Sequence, residues 1–100
     1  MIRLVKVSGD SLLPVYREGD FVLISKIPFF FHSLSKGDVI VFRHEIYGTM
    51  IKLVQRVDPE KDQIFVVGTR EQSVDSRQFG PVQRKDLLGK VIWHIPKPLS

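Results

Sequence analysis

The chain has 100 residues, the size of one domain with one hydrophobic core and too short for two. Its balance of 43% hydrophobic and 26% charged residues excludes a disordered chain, and the lack of cysteine excludes disulfides and thiolate chemistry without reporting the compartment. A net charge of +4 suits an anionic partner, nucleic acid or an acidic membrane face, but on so short a chain it selects neither.

No run approaches the roughly 20 apolar residues of a membrane-spanning helix, and the N-terminus lacks the apolar stretch of a secretory signal. The expectation is a single domain over residues 1–100, cytoplasmic or peripheral at a membrane.

In chain order, residues 2–7 alternate apolar and basic side chains, the period-two signature of a strand. Residues 21–24 and 39–42 are short apolar runs, each entered through a Gly-Asp turn, Gly19-Asp20 and Gly37-Asp38, where glycine admits positive φ before the chain re-enters the sheet. Residues 50–57 and 63–67 read as a hairpin pair joined through Asp58-Pro59-Glu60-Lys61-Asp62. A long polar segment over 68–86 follows, with a helical turn expected near 83–88, and a last strand over 90–95. The fold class is therefore mainly β, a coiled and mostly antiparallel sheet with one short helical turn; periodicity alone does not separate an open sheet from a barrel.

Three places carry residues that chemistry can use. In Ser8-Gly9-Asp10-Ser11-Leu12-Leu13-Pro14 a hydroxyl sits in a turn leaving the first strand, able to present Ser11 Oγ and its own N–H to one incoming carbonyl. The same residues also suit an ordinary turn capped by Ser or Asp. Lys52 lies in an apolar strand, where alternation puts Met50, Lys52, Val54 and Arg56 on one face and Ile51, Leu53, Gln55 and Val57 on the other. A free lysine, of pKa about 10.4, is deprotonated in only about one molecule in 2,500 at pH 7; burial raises that fraction, and a shift of about three units corresponds to roughly 4 kcal/mol. The alternative is a stem lying along the sheet with its ammonium in water. Third, Ser73-Val74-Asp75-Ser76-Arg77 gathers an acid, a guanidinium and hydroxyls, as either a solvated loop or a structured one in which Asp75 pairs with Arg77 and Ser73 meets a lysine amine.

Taken together these segments resemble the type I signal peptidases and their relatives. Ser8 to Pro14 with Gly19-Asp20 is similar to their nucleophile box and Lys36-Gly37-Asp38-Val39-Ile40-Val41-Phe42 to the next box. Ile51-Lys52 with Arg56-Val57 resembles the lysine box, and Ser73 to Arg77 with Phe79-Gly80-Pro81-Val82 and Leu88-Gly89-Lys90-Val91 the last. Order and spacing agree over nearly the whole chain. The resemblance implies a signal peptidase/LexA-like fold and a serine endopeptidase with a Ser/Lys dyad: Ser11 as nucleophile, Lys52 as general base, the Ser11 N–H in the oxyanion hole, Ser73 orienting the lysine, and Asp75 and Arg77 holding the last box in place. Gly9 stands where some members carry a serine that adds a second oxyanion donor. Leu12 replaces the usual methionine, Leu53 a common arginine, and Gly68-Thr69-Arg70 the usual Gly-Asp-Asn.

The implied substrate is a precursor polypeptide, bound extended along a sheet edge and cut after small residues to remove a leader or signal-type segment. Neither metal nor cofactor is required, and His32, His44 and His94 lack metal-ligand spacing. In its brevity the chain is similar to the nickel-type superoxide dismutase maturation proteases; peripheral membrane contact through Phe29, Phe30 and Phe31 is the other way such a domain would reach exported substrates. Two other readings stay open: a small basic β-domain binding nucleic acid, which is not favoured, and a self-cleaving domain similar to that of LexA-type repressors.

Overall fold

The computed structural model describes residues 2–7, 16–26, 34–68 and 74–97. Within them the chain forms β1 (Ile2–Lys6), β2 (Phe21–Ser25), β3 (Val39–His44), β4 (Gly48–Asp58), β5 (Gln63–Val67), α1 (Ser76–Phe79), β6 (Val82–Gln83), a 3-10 turn (Arg84–Asp86) and β7 (Leu87–Ile95). The strands make one sheet in the order β1-β2-β7-β3-β4-β5-β6, and every pairing is antiparallel.

β3 is the central strand because it is apolar on both faces. Ile40 and Phe42 enter one buried cluster with Val54, Ile64, Val66 and Leu87, while Val39 and Val41 enter a second with Val7, Val22, Ile24 and Ile51. An unbroken apolar run, and not an alternating one, is what a strand covered on both sides requires. Val7, at the end of β1, shares the second cluster with Val41 and Ile51, although β2 and β7 separate β1 from β3 in the sheet. That contact is possible only if the sheet coils over itself. The outer strands β1 and β6 share no pairing among the described residues.

Two expectations are corrected. Strict alternation puts Val57 with Ile51 and Leu53, but a bulge interrupts β4: Val54 pairs with Val66 and Arg56 with Phe65, which leaves Gln55 as the extra residue. The inserted residue reverses the parity beyond it. Val57 therefore packs against the first cluster, and Arg56 lies 3.7 Å over the Phe65 ring. The helical turn expected near 83–88 is shorter, a 3-10 turn over Arg84–Asp86, because the chain rejoins the sheet at Leu87, where Phe42 pairs with it. An additional helical turn, α1, lies within the polar segment.

Candidate active site

Lys52 is 2% exposed, one of only three buried polar or charged residues among those described, with Asp20 and Asp75. Its place on β4 explains this. It sits opposite Ile40 and between Met50 and Val54, on the face that carries the first cluster, and not in a position from which the stem reaches water. The expected alternative, an ammonium held in solvent, is inconsistent with that burial. Ile51, its neighbour, points the other way into the second cluster.

The last box is held by its acid. Asp75 is fully buried and starts α1 through a capping box: its side chain accepts from the Arg77 N–H at 3.0 Å, and its own N–H donates to Gln78 Oε1 at 2.9 Å. Arg77 adds a two-pronged ion pair, Nε to Oδ1 and an amino nitrogen to Oδ2, both 2.9 Å, and the Gly68 N–H donates to Oδ2 at 3.1 Å. Burial opposes ionisation of this carboxyl, but the guanidinium and the backbone donors outweigh it and hold the pKa below the usual value. Ser76 Oγ accepts from the Val66 N–H at 2.8 Å. Val66 and Gly68 are two residues apart, so both N–H groups leave the same side of β5, and the two side chains of the last box substitute there for a neighbouring strand.

This staple is adjacent to the lysine. Leu53 pairs with Val67, so extending the register by one residue sets Gly68 opposite Lys52. The bond between Gly68 and Asp75 joins the last box to the chain opposite Lys52. Ser73 lies outside the described residues.

Ser11 and Gly9 also lie outside the described residues, as do Phe29, Phe30 and Phe31, while Val7 and Tyr16 flank the segment carrying Ser11. Val7 donates its N–H to the Asp20 carbonyl at 2.7 Å and accepts from the Gly19 N–H at 2.9 Å, which closes the base of the loop. Val7 and Tyr16 both pack in the second cluster with Ile51, one residue from Lys52.

Sequence reasoning passed over how this base is fixed. Asp20, read as part of a Gly-Asp turn and of the first box, is 3% exposed and accepts from the Arg17 N–H at 3.0 Å, the Lys97 N–H at 2.7 Å and His94 Nε2 at 2.7 Å. The backbone donors of Arg17 and Lys97, then His94, lower its pKa to about 2. The Gly-Asp pair was the visible signal, but its partner is 74 residues away. His44 has a turn-forming role, its Nδ1 accepting from the Ile46 and Tyr47 N–H groups. Among the described residues no three His, Asp or Glu side chains converge as a metal-binding set, and no helix is long and apolar enough to cross a membrane.

The described residues thus give an antiparallel coiled sheet with a buried lysine on β4. The family model for peptidase S24-like proteins matches residues 2–92, and the chain belongs to that family. It is also similar to signal peptidase I V of Bacillus subtilis (strain 168), with 24% identity over 136 residues covering 86% of this chain and 81% of that protein. The resemblance carried by the four boxes is thus borne out at the level of family and fold.

Proposed function

We propose that the chain is a serine endopeptidase in which Ser11 is the nucleophile and Lys52 the general base, and that it removes a leader or signal-type segment from a precursor polypeptide. The observation that carries this reading is the burial of Lys52 on an apolar strand, since an amine kept from water is favoured in its neutral, proton-accepting form. The second support is the packing of Val7 and Tyr16, the described residues on either side of the Ser11 segment, in the cluster that contains Ile51, the neighbour of Lys52.

Neutral Lys52 Nζ takes the Ser11 Oγ proton as Oγ bonds to the scissile carbonyl carbon. The oxyanion accepts from the Ser11 N–H, and collapse of the tetrahedral adduct breaks the C–N bond while the lysine ammonium returns the proton to the leaving amine. Water, deprotonated by the same lysine, then hydrolyses the ester and frees Ser11. Ser73 orients the lysine amine, and Asp75 with Arg77 keeps that loop in place without touching substrate. Gly9 supplies no side-chain donor to the oxyanion hole. An extended substrate docks along a sheet edge by backbone hydrogen bonds.

The test is cleavage of an internally quenched peptide with alanines before the scissile bond. Ser11→Ala and Lys52→Ala each reduce kcat by at least about 10³-fold with far-UV circular dichroism unchanged, on the scale of removing one member of a catalytic unit. The activity of the unmodified protein rises with pH as the lysine loses its proton. Full activity in either variant ends the reading.

A further inference from the structure

Asp20 and His94 form the largest polar construction in the described residues that the dyad chemistry leaves unused. The Asp20 carboxylate is buried, accepts from two backbone N–H groups and meets His94 Nε2. His94 belongs to β7 and stacks on Tyr16, ring centroids 4.5 Å apart. Tyr16 is where the Ser11 segment rejoins the described chain, and Asp20 closes its base through Val7. One imidazole on the last strand thus grips the segment's return leg twice, by its ring against Tyr16 and by its nitrogen on Asp20. A third contact comes from Lys97: a Cβ at Gly19, whose φ is +93, would meet Lys97 Cδ at 2.9 Å, so the chain after β7 lies directly against the turn.

A hydrogen-bonded carboxylate that joins elements 74 residues apart fixes their relative position more tightly than apolar packing, which tolerates sliding. Val7 and Tyr16 hold the two flanks of the Ser11 segment by apolar contacts. The polar contact fixes Asp20 against β7.

We propose that His94 and Asp20 are positioning residues that set where the Ser11 segment stands relative to the sheet, so that a contact on β7 governs the rate of acylation. This rests on the Ser11 and Lys52 reading. The latch touches neither substrate nor the reacting atoms. It acts by holding one end of a segment whose nucleophile has to meet the lysine within hydrogen-bonding distance.

The test separates the hydrogen bond from the ring. His94→Phe keeps an aromatic face for Tyr16 and removes the donor to Asp20, while His94→Gln restores a donor at about the same reach. With the alanine-containing quenched peptide, His94→Phe lowers kcat by about 10- to 100-fold, the scale of a small misplacement, with KM within about 2-fold, and His94→Gln recovers most of it. Asp20→Asn gives a comparable loss, and His94→Phe adds little on that background, since both break one contact. Full kcat in His94→Phe, equal losses in the Phe and Gln variants, or a change confined to KM overturns the proposal. Amide hydrogen exchange decides it without relying on turnover: His94→Phe accelerates exchange over Arg17 to Asp20 by at least about 10-fold while β3 and β4 keep their protection. Unchanged exchange there overturns the latch. Undiminished cleavage by Ser11→Ala overturns the dyad instead, and leaves the exchange result to decide the latch.

Discussion

At Lys52, stability and function pull in opposite directions. A buried amine opposite Ile40 occupies a place that an apolar side chain of the same length fills without desolvation cost. Lys52→Met is therefore expected to match or exceed the parent in Tm while losing cleavage, a stability and activity trade-off read by calorimetry and by the peptide assay. Asp75 behaves in the reverse sense, because its carboxylate satisfies Gly68, Arg77 and the start of α1 together. Asp75→Ala leaves those donors unmatched and is expected to lower unfolding free energy by about 1–3 kcal/mol, seen as a lower urea midpoint. The pairing of this acid with Arg77 was legible from their spacing, but its role in starting α1 was not, since the helical turn was expected further along the chain. Asp20 was legible as part of a Gly-Asp turn and of the first box, but not its partners, because its hydrogen-bond donors at 94 and 97 carry no local pattern that points back to it.

Among the elements, α1 is the most informative. Its four residues are too few to be a stable helix alone, and it exists because Ser76 and Asp75 finish the edge of β5. Ser76→Ala strands the N–H of Val66, a fully buried residue, and is expected to cost about 1–2 kcal/mol with an unchanged urea m-value. On β7, a Cβ at Gly89 would stand 3.0 Å from the Ser25 carbonyl oxygen and 3.1 Å from Ile24 Cβ, both on β2. Gly89→Ala is accordingly expected to loosen the pairing of β2 with β7, measured as faster amide exchange across those two strands. Most strands could be located from alternation and Gly-Asp turns, whereas the bulge at Gln55 could not. Alternation counts residues, but a bulge is decided by which partner each one finds on β5.

For the molecule as a whole, the two buried carboxylates set the response to acid. Asp20 has a folded pKa of about 2, below its ordinary value of 3.8, and Asp75 is lowered as well. A depressed carboxyl contributes stability that is complete above the unfolded pKa and is lost as pH falls toward the folded one. Tm is therefore expected to be nearly flat above about pH 5, to fall between about pH 4 and 2, and to fall less steeply in Asp20→Asn. A Tm independent of pH over that interval would contradict the assignment. By themselves, the residues in order determined the β class, the Gly-Asp turns, the candidate lysine and the pair Asp75 and Arg77, since each of these is a relation between near neighbours. The tertiary structure alone decided that Val57 changes faces, that Lys52 is shut away from water, and that Asp20 meets His94 across 74 residues. Burial and hydrogen-bond partnership are supplied by groups distant in the chain, and neither exists until those groups are brought together.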